Sequence, residues 1–388
     1  MIKICFYMNS PFTMGGEQRV TRVLANYLTS TDNYKIYFLL DSSEKNINNK
    51  LLNSKIEIIY LDKMRLIDKI KTKIFNKIGN INSKTGILKN NYYLLSKTYC
   101  LKSRKEEIIS VINNYDFDYV IGVASKYFGI LSTIKDKINS KIIAWEHSCY
   151  KAYFETKGRR FYNQNAFVNN MFSKVDYYIV QTKDDYKNIK KKYNYESIVI
   201  NNPNTFVNDN KISKLNNKIF LAIGRMDKVK GYDILIESFK IFHEKNQEWK
   251  LYLVGAGEML EHYKSIVTKY NLNDYIIFEG NQEDVEKYYL NSSIYMMTSL
   301  WEGWGMVVTE AMQYGLPIIS NNLPCIHEIF GNENCGIIID KGSPEKYADA
   351  MNSLVTNDNY KRMTRNCKNR AKKFNVNIIG EKWKNILK

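Results

Sequence analysis

The chain has 388 residues, 44% of them hydrophobic, and a formal net charge of +17. That length outgrows one hydrophobic core and divides naturally into two domains, and the composition excludes a disordered or fibrous chain. Six scattered cysteines and four histidines show neither Cys-x-x-Cys nor His-x-x-x-His spacing, which argues against a disulfide scaffold or a metal site, and no apolar run reaches the ~18 residues of a spanning helix, so a cytoplasmic location is expected.

The first apolar run, 2–8, reads as a buried strand that stops at Asn9, Ser10 and Pro11. It leads through Gly15 and Gly16 into a helix with Val20, Val23, Leu24 and Tyr27 on one face. Such a glycine pair lets backbone approach a ligand, and the helix N-terminus offers unpaired N–H groups to an anion, although a plain turn uses the same residues. Further strands are expected at 35–40 and 56–60. Residues 63–105 then hold twelve basic residues against one acid, Asp68. Ile67, Ile70, Ile74 and Ile78 recur there at helical spacing with lysines between them, the pattern of a basic amphipathic helix. Two readings stand: attachment to an anionic membrane surface, or packing on the domain with the lysines in water. Asp116-Phe117-Asp118 has the spacing of a metal-binding pair, but it precedes the next apolar run, 119–123, and reads as the approach to that strand. Strands at 141–145, 177–181 and 198–200 follow. The turn-rich segment 201–211 is the expected boundary, giving domains at 1–205 and 206–370 and a closing helix at 371–388 that packs back toward the first domain.

The second half offers strands at 218–223, 250–254, 276–279, 294–298, 317–320 and 336–339. Apolar runs alternating with helical patterns throughout make this an α/β chain with parallel sheets. After 218–223 come Arg225 and Lys230; a guanidinium grips phosphate oxygens as a fork, and an ammonium adds a point charge. Gly255 and Gly257 suggest a dinucleotide fingerprint, but Leu260 holds the third glycine position, which excludes it. The most specific element runs from Thr298 to Pro317. Glu302 is followed by Gly303, Trp304, Gly305 and Met306, whose backbone N–H groups at a helix start suit a diphosphate. Glu310 follows eight positions after Glu302, ~12 Å of helical rise at most, so the two acids can address sugar hydroxyls on either side of that diphosphate.

With these elements in this order the chain resembles the retaining glycosyltransferases of family 4, which have the GT-B fold: two facing Rossmann-like doubly wound domains with a cleft between them. The likeness rests on Gly15-Gly16-Glu17, Trp145-Glu146-His147-Ser148, Val180-Gln181-Thr182-Lys183, Asn202-Pro203, Gly224-Arg225 with Lys230-Gly231, Gly280 with Asp284-Val285, and Glu302 to Glu310. It implies an acceptor-binding first domain and a second domain that binds a nucleotide sugar. By that analogy Arg225 and Lys230 hold the diphosphate, Glu310 the ribose and Glu302 the donor sugar, with backbone N–H groups from Gly303 to Met306. Gly15 and Gly16 lie against the phosphate and His147 near the sugar. The catalytic set is then Glu302, His147, Arg225 and Lys230, with no nucleophile, and retention follows from front-face attack. Trp304 stands where the family usually has Phe and is expected to reshape the sugar pocket.

The expected reaction moves a hexose or N-acetylhexosamine from a UDP-linked donor, without metal or separate cofactor, to a glycan or lipid-linked glycan of lipopolysaccharide, capsule or exopolysaccharide. The expected place is the cytoplasm, peripherally on the inner face of the plasma membrane, with an anionic membrane surface and no nucleic acid as partner. The alternatives are a GT-B sugar-nucleotide epimerase or hydrolase, and a non-enzymatic basic polyanion-binding protein.

Overall fold

A computed structural model describes residues 1–13, 15–41, 51–206, 211–214, 216–340, 342–356 and 360–388. Part of the turn-rich boundary segment, 207–210, lies outside the described residues, as does Met14 of the glycine loop. The chain divides into two units, Met1–Pro203 with Val376–Lys388, and Asn204–Asn375.

The first unit is built on seven parallel strands: β1 Ile2–Met8, β2 Tyr34–Leu40, β3 Glu57–Tyr60, β4 Tyr119–Val123, β5 Lys141–Trp145, β6 Tyr177–Val180 and β7 Ile198–Val199. Their order across the sheet is β3-β2-β1-β4-β5-β6-β7. Buried on both faces, the central strands read as continuous apolar runs rather than alternating ones. Residues 4–8 of β1 and all of β4 are buried, and Phe6 stacks on Phe38 of β2 at 5.4 Å. The helix Val376–Lys384 belongs to this unit: Trp383 meets Trp145 edge to face at 4.8 Å, and Tyr27 donates to Glu381 at 2.8 Å. Asp118 accepts from the backbone N–H of Lys3 at 2.8 Å, so the Asp116 to Asp118 segment ties β4 to β1.

The second unit has six parallel strands: β8 Ile219–Ile223, β9 Lys250–Val254, β10 Ile276–Gly280, β11 Ile294–Met297, β12 Ile318–Asn321 and β13 Gly336–Ile339, ordered β10-β9-β8-β11-β12-β13. Counted within the unit this is 3-2-1-4-5-6, the doubly wound Rossmann order, and the first unit follows the same order with one added edge strand. Each unit therefore has a switch point, between β1 and β4 and between β8 and β11, where the flanking connections leave to opposite sides and open a crevice at the carboxyl ends of the strands.

The basic segment between β3 and β4 contains the helix Leu66–Thr85. Most of its isoleucines do not pack on the unit: Ile67, Ile70, Ile74 and Ile81 are exposed and Ile78 is half-buried, whereas Asp68, Asn82 and Ser83 are buried. The lysines lie in water, as the packing reading has them, but Ile67, Ile70 and Ile74 share that exposure. Among the described residues no helix is long and apolar enough to cross a membrane.

Candidate active site

In the second unit the chemistry gathers at the switch point. β8 ends at Ile223 and hands the chain to Gly224 and Arg225; β11 ends at Met297 and hands it to the loop that carries Glu302. Lys230 closes a short 3-10 turn, Lys228–Lys230, which Asp227 caps by accepting from Val229 N–H at 3.1 Å. The next residue, Gly231, has φ +63°, and a Cβ there would lie 2.5 Å from the Thr298 carbonyl oxygen. Only glycine lets the β8 and β11 loops approach this closely. Thr298 then donates to the Lys230 carbonyl at 2.8 Å, and Leu300 N–H to the Val229 carbonyl at 2.8 Å.

This clamp brings Lys230 Nζ to 2.6 Å from Glu302 Oε1, which also accepts from Ser299 Oγ at 2.8 Å. Asn321, at the end of β12, donates to the carbonyls of both Thr298 and Ser299 at 3.0 Å each and so sets the shape of the loop. Arg225 stands apart from this pair. Its side chain is 83% exposed, with one guanidinium nitrogen 3.3 Å from Asp227, which leaves most of its five donors to solvent.

Glu302 is followed by Gly303 and Trp304, and Gly305, in the left-handed region at φ +80°, starts the helix Met306–Gln313. The Trp304 side chain is 2% exposed and meets Phe374 edge to face at 5.2 Å. The indole is a core residue, so an influence of Trp304 on a neighbouring pocket would act through packing. Glu310 is fully buried on the same helix, accepting from Thr205 at 2.6 Å and from Tyr289 at 2.9 Å. The structure thus brings Lys230 and Glu302 into contact, leaves Arg225 open to solvent, and encloses Glu310.

The first unit carries the other expected residues. Gly15 precedes the helix Gly16–Thr29 in extended backbone, its carbonyl accepting from Arg19 N–H at 3.1 Å. Glu17, in the first turn, has its carboxyl pushed up to about 7 by burial. His147 follows β5 and lies 4.5 Å, ring to ring, from Trp145. Gln181, just beyond β6, donates its amide to the Glu146 carbonyl at 2.9 Å and meets His147 Nδ1 at 3.3 Å. Because the amide nitrogen can only donate, Nδ1 accepts and the proton sits on Nε2. Nε2 is enclosed and has no protein partner, and burial holds the imidazole neutral, its pKa lowered to about 3.

Glu146 supports this arrangement. One carboxylate oxygen accepts from the N–H groups of His147 and Ser148 at 2.9 and 3.2 Å, and the other from Tyr178 at 2.9 Å. Burial pushes its carboxyl up to about 8. Reading the sequence missed the supporting roles of Tyr178, Ser299 and Asn321, and of the pair Thr205 and Tyr289. Ser299 lies within the Glu302 segment and was open to discovery there; the others are distant in sequence and carried no local signal. Among the described residues, no three His, Cys, Asp or Glu side chains are grouped to hold a metal ion.

Residues 205–374 match the family described as Glycosyl transferases group 1. Over the full length of both chains the protein is 26% identical to an uncharacterized glycosyltransferase of Haemophilus influenzae. It is 25% identical to the amylovoran biosynthesis glycosyltransferase AmsD of Erwinia amylovora, over 65% of this chain and 71% of that one. Its fold is similar to a mutant TarM of S. aureus, crystallised with fondaparinux, alpha-GlcNAc-glycerol and UDP, at a TM-score of 0.76, 14% identity and coverage of 100% of both chains. The chain is therefore a glycosyltransferase of GT-B fold, whose residues 205–374 match the glycosyl transferases group 1 family.

Proposed function

We propose that the protein moves a hexose or N-acetylhexosamine from a UDP-linked donor, with retention, to a glycan or lipid-linked glycan during surface polysaccharide assembly, acting in the cytoplasm. The observation that carries this reading is the Lys230 and Glu302 pair at the switch point of the second unit, with Arg225 open to solvent on the connection that follows β8. The second unit then takes the donor and the first the acceptor. The TarM structure holds UDP and AmsD is named for amylovoran biosynthesis, which supports the donor and acceptor classes.

In this reading Arg225 and Lys230 neutralise the charge that builds on the diphosphate as the bond from the anomeric carbon to phosphate oxygen breaks. Preorganised donors of this kind are typically worth ~100- to 1,000-fold in rate each. Backbone N–H groups from Gly303 to Met306 add the helix-start field, and in the first unit the helix start after Gly15 and Gly16 offers N–H groups of the same kind. Glu302 turns to the donor sugar, and in the first unit the neutral His147 carries an Nε2–H that no protein group takes up. A ribose diol reaches Glu310 by taking the place of the Thr205 hydroxyl. The acceptor oxygen bonds to the anomeric carbon on the face that the phosphate leaves, and a departing phosphate oxygen takes the acceptor proton. No metal has a role in this scheme.

The test is a thermal-shift panel of UDP, GDP and ADP with their sugars, on wild type and Arg225→Ala. A ligand at ~100 times its dissociation constant adds ~2.7 kcal/mol of stability. Stabilisation by uridine nucleotides alone, lost in the variant, is the expected result; stabilisation by another base overturns the donor, and none at all overturns the site. Incubation with donor but no acceptor separates transfer from hydrolysis and epimerisation, and the anomeric configuration of the product decides retention.

A further inference from the structure

The helix Leu66–Thr85 is amphipathic in the inverse sense to one that covers a core. Leu66, Ile67, Ile70, Ile74 and Ile81 are between 50% and 76% exposed, and at 3.6 residues per turn they form one stripe. The opposite side, against the helix Tyr92–Tyr99, is mostly polar or small, with the half-buried Phe75 among its residues. Gly79 lies against Thr98. Asp68 accepts from Arg65 and Ser103 at 3.2 and 3.3 Å, and Asn82 donates to the Asn163 carbonyl at 2.8 Å and accepts from Leu88 N–H at 2.7 Å. Hydrogen bonds and the half-buried Phe75 and Ile78 therefore hold this helix to its unit, while Leu66, Ile67, Ile70, Ile74 and Ile81 stay in water. A contiguous exposed apolar patch with a polar rim marks an interaction surface.

The rim identifies the partner. Lys69, Lys71, Lys73, Lys77 and Lys84 are all exposed and flank or interrupt the stripe, and the next exposed aliphatic residue, Ile87 at 78%, is followed by the exposed Lys89. We propose that this helix lies in the plane of an anionic lipid bilayer, with the isoleucines in the headgroup and acyl boundary and the lysines on lipid phosphates. A second copy of the chain suits this surface poorly, since a two-fold contact sets the same lysine-rimmed face against itself. The inference does not depend on which donor the second unit takes.

The experiment is flotation of the full-length protein with mixed phosphatidylglycerol and phosphatidylcholine vesicles, and with phosphatidylcholine alone. Binding to the mixed vesicles only, weakened by salt, is expected. Lys73→Gln should weaken it roughly fivefold, and Ile70→Ser with Ile74→Ser about tenfold or more. The melting temperature should hold in all of them because these side chains are exposed. Wild type that fails to float with the anionic vesicles, or variants that float as well as wild type, overturn the proposal. So does a dimer in size-exclusion light scattering that Ile74→Asp dissociates, which assigns the stripe to a second copy.

Discussion

Lys230 Nζ lies 2.6 Å from Glu302 Oε1, with the two side chains 17% and 16% exposed. The cation expected at the diphosphate and the carboxylate expected at the sugar are each other's partner, so an anion that takes Lys230 also releases Glu302. Either single change, Lys230→Met or Glu302→Gln, should cost about 2 to 3 kcal/mol in urea unfolding, at the low side of buried-pair values because some of each side chain meets water. The double variant should cost less than the sum, since neither charge is then left alone. Additive costs would mean the contact does not couple the two.

Arg225 should behave in the opposite way. At 83% side-chain exposure it supports no packing, so Arg225→Ala should change stability by no more than about 0.5 kcal/mol. Transfer should fall by ~100- to 1,000-fold. A steady-state rate comparison alongside a melting curve separates the two effects.

His147 and Glu146 should give opposite pH dependences. The unfolded chain protonates its histidine near 6.5, whereas native His147 stays neutral until about 3. Below 6.5 the unfolded state binds more protons, so stability falls as pH drops through this window. His147→Gln removes that dependence, and its melting temperature should gain on wild type from pH 6.5 toward 3. Native Glu146 keeps its proton up to about 8 against an ordinary 4.5. Its contribution is present below the ordinary value and is lost as pH rises to 8, so Glu146→Gln should gain on wild type across that range. Parallel melting curves over pH check both.

Two glycines with nearly the same φ make a controlled pair. Gly231 has φ +63° with the Thr298 carbonyl 2.5 Å from where a Cβ would stand, and Gly280 has φ +66° with nothing within 4 Å. Gly280→Ala should cost about 1 kcal/mol, the left-handed penalty alone. Gly231→Ala should cost about 2 to 4 kcal/mol and separate the Lys230 and Glu302 loops. Denaturant midpoints of the two variants measure the difference.

Thirteen strands were legible in the sequence to within about one residue at most ends, the usual uncertainty of an element boundary. The reason is burial: a parallel strand covered on both faces must be apolar along its length, and turn residues bound it. Arg225, Lys230, Glu302 and the Gly15 loop were legible because each occupies a strand-to-helix connection. The β8 and β11 connections meet at a switch point, but the contact between Lys230 and Glu302, 72 positions apart, was not.

What the sequence determined by itself is local: strand placement, the loop chemistry at strand ends, and the isoleucine periodicity near residue 70. Tertiary structure decided what each pattern faces. Periodicity locates an apolar stripe but carries no information about its direction, and here the hydrogen bonds of Asp68 and Asn82 turn it to solvent. Trp304 and Glu310 lie in a segment that reads as a ligand loop, yet packing against Phe374 and hydrogen bonds from Thr205 and Tyr289 enclose them. These partners come from remote parts of the chain, and only the folded arrangement of the elements brings them within contact distance.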